Sequence, residues 1–133
     1  MKRDMDLVRK ILFKIEEKPP FEYSDIEIDG YDMQAIAYHC EMLYNEGYIK
    51  DYFDVTCDNF HGVLKFGVQD LTWEGHELLE TIRQDTVWNR TKQTIKEKGL
   101  SMAIETVKTI STAFITAATE GAVSAILNNG GQT

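Results

Sequence analysis

Between Tyr31 and Ile49 the apolar residues Met33, Ile36, Ala37, Cys40, Leu43 and Tyr44 recur at spacings of three and four, the period of a helix with one face on a core. Gln34, Tyr38, Glu41 and Asn45 fall on the opposite face. Gly47 stands just past the last turn, where a left-handed residue caps the free carbonyls, and the β-prone Tyr48, Ile49 and Tyr52 follow. The pattern predicts a helix over 32–46 that runs into a strand, as the third helix of a winged helix runs into its wing.

Upstream, Leu7, Ile11, Leu12 and Ile15 predict a helix over 3–18, with Asp4 or Asp6 near its positive end and Pro19-Pro20 as its stop. Phe21 to Ile28 alternates apolar and polar like a half-buried strand interrupted at Ser24-Asp25, and Asp29-Gly30 reads as a turn. Where a helix-turn-helix keeps its second helix, this leaves room for one turn around Tyr23 to Ile26. Downstream, Tyr48 to Thr56 and Val63 to Val68 predict two strands joined by a loop from Cys57 to Gly62. Thr72 is placed to cap a helix over 73–90, whose stripe of Leu78, Leu79, Ile82 and Thr86 continues toward Val87, Trp88 and Ile95, with Gly99 as the stop.

From Leu100 to Leu127 only Glu105, Lys108 and Glu120 are charged. Ala103, Val107, Ile110, Phe114, Ala117 and Gly121 share one helical face, which predicts an amphipathic arm over 99–127, about 40 Å long at ~1.5 Å per residue. Residues 128–133 are expected to be a disordered tail. The expected architecture is α+β, a winged-helix-like domain over 1–98 with a long C-terminal helix.

Composition adds class and sign. A chain of 133 residues with 43% hydrophobic side chains is long enough for one ordinary core, and two cysteines give no disulfide framework. With no hydrophobic run behind Met-Lys-Arg-Asp-Met-Asp, a cytoplasmic location is expected. The net charge is −8, and residues 21–70 hold eleven acidic side chains against two basic ones. That is the wrong sign for a surface lying on phosphates. Recognition helices of winged-helix repressors commonly run S-R-H-L-R-x-L-x-x-x-G-L-V, and Ala37 to Ile49 matches their core positions while Tyr38 and Glu41 stand where arginines are usual. Gln34, Tyr38, His39, Glu41 and Asn45 are therefore the candidate interaction surface of the central helix, read as a protein-contacting or solvated face, with Gln34, Tyr38, His39 and Asn45 able to reach base or backbone.

Cys57 and His61 form one potential ligand pair on a turn, and His39, Cys40 and His76 are scattered; a structural zinc site wants four converging ligands, so no metal is expected. No nucleophile stands beside an orienting base, and the glycines occur singly at turns, so no catalytic residue and no cofactor are expected. Trp73, Trp88, Tyr44, Tyr48 and Phe66 read as core.

The start Met1-Lys-Arg-Asp-Met-Asp-Leu7, the run G-Y-x-x-x-x-I-x-Y-H from Gly30 to His39, and L-T-W-x-G-H from Leu71 to His76 with Val87-Trp88 beyond it resemble a family of small bacterial and prophage proteins, domain of unknown function 2513. The resemblance covers about residues 1–98 and implies no activity. Together these readings lead to a non-enzymatic protein that acts through protein contacts and forms a homodimer through Ala103, Val107, Ile110, Phe114, Ala117 and Gly121. The rival is a DNA-binding regulator of bacterial or prophage genes. A membrane span over Thr109 to Leu127 is disfavoured by Glu120, six Ser or Thr side chains and a single flanking basic residue, Lys108.

Overall fold

In the computed structural model, which describes residues 1–130, helix α1 (Met5–Glu17) starts at Asp4, whose carboxylate accepts the N–H groups of Asp6 and Leu7 at 2.9 and 3.2 Å. Leu7, Val8, Ile11, Leu12 and Ile15 form its buried stripe. Helix α2 (Met33–Asn45) is capped by Asp32 on the Ala35 N–H at 2.8 Å. It ends in a Schellman motif: Gly47 adopts φ 86°, its N–H reaches the Tyr44 carbonyl, and the Tyr48 N–H reaches that of Leu43 at 2.9 Å. Any side chain at 47 would meet the steric cost of left-handed backbone, so the exit of α2 requires this glycine. α1 packs on α2, and α2 packs on the hairpin of β1 (Tyr52–Cys57) and β2 (Phe60–Val68).

The strands pair antiparallel from Tyr52↔Val68 to Val55↔Lys65, after which the register jumps to Cys57↔Phe60, so that residues 61–64 of β2 bulge opposite Thr56. The hairpin thus continues to Asp58-Asn59 instead of opening into the expected 57–62 loop, while the first strand begins at Tyr52, later than the expected Tyr48. Residues 48–51 are committed elsewhere: Ile49 forms a bridge with Leu71, and Thr72 donates from its hydroxyl to the Gly47 carbonyl at 2.5 Å and accepts the Gly75 N–H at 3.0 Å, opening helix α3 (Trp73–Ile82). Gly75 approaches the Tyr48 carbonyl so closely that a Cβ there would overlap the backbone.

Two other expectations change. The strand read over 21–28 reduces to one bridge, Ser24↔Val68, with both backbone bonds at 2.9 Å, and neither the rest of the segment nor Tyr23–Ile26 forms a helix. Pro19-Pro20 and Phe21, at φ 70°, enter this segment as a knot tied to Asp70, not as extended backbone. The helix read over 73–90 breaks at Arg83-Gln84, and α4 runs Asp85–Lys98. On one straight helix the buried set Leu78, Leu79 and Ile82 and the buried set Val87, Trp88, Thr91 and Ile95 would point to opposite sides; the break lets both be buried, and Thr86 is left exposed.

The chain divides into two compact units, Met1–Glu80 and a second from Thr81 onward. In the second, α5 (Ile104–Gly130) packs on α4. It begins four residues after Leu100 and continues through 128–130, where a disordered tail was expected; residues 131–133 lie outside those described. Among the described residues the architecture is α+β, with five helices, a two-stranded antiparallel sheet and a long C-terminal helix.

Candidate interaction surfaces

The five positions proposed on the central helix separate into three roles. Tyr38, Glu41 and Asn45 are exposed on α2, as their place in the helical period predicts. Gln34 is half-buried and joins the wing: its amide nitrogen donates to the Val63 carbonyl and its amide oxygen accepts the Val63 N–H, both at 2.7 Å. The side chain thereby acts as a short strand partner for the β2 bulge. Gly62, at φ 150°, makes room for it, since a Cβ there would lie 2.5 Å from the Gln34 amide oxygen.

His39 is not on the surface; it is 1% exposed. The Asp4 backbone N–H donates to its Nε2 at 2.8 Å, so the ring proton sits on Nδ1 and is given to the Ala35 carbonyl at 2.8 Å. Both nitrogens are engaged, which turns a candidate contact residue into a polar tie between the start of α1 and the middle of α2. The helical period missed it because a histidine among Ile36, Ala37, Cys40 and Leu43 counts as polar, although its ring packs as an apolar disc once both nitrogens are paired.

Two aromatics read as core, Trp73 and Tyr44, are exposed at 76% and 38%, and Met33 is also on the surface; Trp88 and Phe66 are buried as expected. Trp73 occupies the first turn of α3, where only one side of the helix meets the body of the unit. Tyr52 stacks on Phe66 (6.3 Å between centroids) and donates to Asp54 at 2.8 Å; burial first, then this carboxylate, pushes its phenol pKa up. Burial likewise pushes the Cys40 thiol up to about 12, so it behaves as a packing side chain, whereas Cys57 is exposed in the wing. A hollow of about 300 Å³ is walled by Ile26, Ile28, Met33 and Phe66, with Asp25, Glu27 and Asp29 at its rim. Its titratable groups besides Tyr31 are carboxylates alone, a poor set for nucleophilic or acid–base work. Among the described residues no three His, Cys, Asp or Glu side chains gather as metal ligands.

In α5 the packed side is turned away from the expected face. Val107 and Ser111, one helical turn apart, are the buried pair, and the Ser111 hydroxyl bonds to that of Thr91 at 3.0 Å inside the α4–α5 contact. Phe114 lies under the Arg90 guanidinium, 4.5 Å from its carbon. Ala103 and Ile110 are half-buried, while Ala117 and Gly121 are exposed. Serine was discounted as an apolar position, although a hydroxyl that finds a partner on α4 packs as well as an alanine. Residues 116–128 are exposed throughout. Ile104–Asn128 is also long and apolar enough to cross a membrane by length and composition.

A family model described as "Hypothetical protein (DUF2513)" matches residues 2–101. The chain belongs to this family. The match ends just before α5 begins. A protein of Haemophilus influenzae described as "Uncharacterized protein" is 37% identical over 117 residues, covering 86% of this chain and 96% of that one, and at this coverage the similarity takes in part of α5 as well. No solved structure matches.

Proposed function

We propose that this member of the family is a non-enzymatic, cytoplasmic protein whose first unit is winged-helix-like and which acts by holding other proteins, beginning with a second copy of itself through α5. The order α1, α2, hairpin, α3, with Ser24 bridged to β2 as a residual third strand, supports the winged-helix reading. The observation that carries self-association is the bare second half of α5. From residue 116 to 128 every position is exposed, Val123 at 49% and Ile126 and Leu127 each at 69%, with Glu120 as the sole charge. Burying such a surface gains about 25 cal/mol per Å² of apolar area, and a helix with one charge associates with its like at little electrostatic cost.

The test is light scattering on the intact chain and on a chain ended at Ile115, which keeps Val107, Ser111 and Phe114 on α4 and removes only the bare part. The intact chain is expected to be a dimer or larger and the shortened one a monomer with an unchanged melting temperature. An intact chain that stays monomeric over the accessible concentration range overturns the reading. The length and composition of Ile104–Asn128 favour a second reading, a membrane span. Flotation of the intact but not the shortened chain with lipid vesicles, without self-association in detergent, would establish that one instead.

A further inference from the structure

A separate exposed apolar surface lies on the first unit, on the side of the hairpin turned away from Phe66 and Val68. There the Phe53 ring covers Gly67, so closely that any side chain at 67 would displace it, and meets the Tyr23 ring edge to face at 5.5 Å. The Tyr23 hydroxyl donates to the Asp51 carboxylate, whose other oxygen accepts the Tyr52 N–H at 2.9 Å. Val55 continues the face two residues along β1. Phe21 stands near the start of the same segment as Tyr23, its N–H held by both Asp70 oxygens at 3.0 and 3.3 Å and its ring 76% exposed. Phe21, Tyr23, Phe53 and Val55 are thus all more than a third exposed, and two of the rings are locked by contacts of their own. Rigid aromatic side chains that lose little entropy on contact are the residues from which binding hot spots are made.

Charge selects the occupant. Asp51 lies beside the Tyr23 and Phe53 rings, Glu22 stands between Phe21 and Tyr23, and the surrounding segment 21–70 is acidic by eleven side chains to two. A second copy would bring the same carboxylates against these, and duplex nucleic acid would bring phosphates. A guanidinium satisfies both features at once, lying flat on an aromatic face while its N–H fork meets a carboxylate. Lys65, paired across from Val55, puts a positive charge at the far end, so the cation belongs at the Asp51 end. We propose that Phe21, Tyr23, Phe53 and Asp51 form a docking surface for an extended, arginine-bearing segment of a partner protein.

The experiment is fluorescence anisotropy on the full chain at physiological salt, titrated against a short labelled peptide of alternating arginine and glycine and against its lysine counterpart. The arginine peptide should bind at least about tenfold more tightly, since lysine keeps the charge but lacks the planar fork. Asp51→Asn and Phe21→Gly should each weaken it about tenfold, the loss typical of a moderate interface side chain. Phe21→Gly also relieves the positive φ, so its effect does not come from unfolding. Equal binding of both peptides, variants that bind like the native chain, or displacement of the peptide by duplex DNA would overturn the proposal. So would a dimer abolished by Phe21→Gly, which would make the occupant a second copy. Ending the chain at Ile115 should leave the titration unchanged, which separates this surface from self-association through α5.

Discussion

Replacing Gln34 by alanine tests how the wing is held to the central helix. The substitution removes two neutral hydrogen bonds of 2.7 Å to the Val63 backbone and leaves that N–H and carbonyl to find other partners. Each such bond contributes about 1 kcal/mol net. Val63 is half-buried, so water recovers part of the loss, and a destabilisation of about 1–2 kcal/mol is expected. For a unit of this size that lowers the melting temperature by roughly 5–15 °C. Amide exchange should accelerate most at Val63 and at the bulge, less at Phe53 and Gly67, where the regular ladder remains. Gly62→Ala provides the cross-check: its Cβ collides with the Gln34 amide oxygen, so part of its cost should disappear in the Gln34→Ala background, with a coupling of about 0.5–1 kcal/mol. Unchanged exchange at Val63, or strictly additive substitutions, would refute the amide-to-backbone pairing.

Gly75→Ala should be among the most damaging single changes, since its Cβ would overlap the Tyr48 carbonyl and the backbone there is fixed by the Thr72 N–H; a loss of about 3 kcal/mol or more is expected in urea melts, against under 1 for Gly121→Ala, where nothing lies within 4 Å. Acidification should act through Asp70. Its burial pushes its pKa up, but the ion pair with Lys18 at 2.9 Å and the Phe21 N–H outweigh this and hold it below the ordinary carboxylate value. A depressed folded-state pKa stabilises above the unfolded-state value and loses that stability as pH falls through the folded one, so Asp70→Asn should lower stability at neutral pH and flatten its decline below about pH 4. Equal acid dependence of the two proteins would show that Asp70 does not carry this linkage.

The helices of the first unit were legible because period and caps agree: Asp4 and Asp32 open them, the Leu7–Ile15 and Ile36–Leu43 stripes define their faces, and Gly47 closes the second. What escaped the sequence depends on partners distant in the chain. The 21–28 segment alternates like a strand, yet β2 accepts it only at Val68, because the bulge at 61–64 takes its partner from Gln34. The break at Arg83-Gln84 carries no glycine or proline; its signal was a buried stripe that changes side between Ile82 and Val87. In α5 the pairing of Ser111 with Thr91 sets the packed face, and the pattern of apolar residues alone pointed nearly a quarter turn away.

These displacements bear on what α2 can read. With Gln34 engaged at Val63 and His39 inside the core, its outward positions are Tyr38, Glu41 and Asn45, and no lysine or arginine occurs anywhere from Met33 to Asn45. Asn45 retains an amide able to pair with a base, worth about 1–3 kcal/mol in a good bidentate contact. Such a contact requires the helix first to be held in the groove, and the holding comes from cations released onto phosphates, a contribution that Glu41 and the acidic segment around it reverse in sign. The same electrostatics that repel a polyanion draw a cationic protein segment, and the exposed aromatic rings beside Asp51 supply the flat apolar contact that charge alone lacks. A winged-helix-like frame with this surface is therefore suited to gripping basic protein, and its acidity becomes a specificity device instead of a defect in a DNA reader.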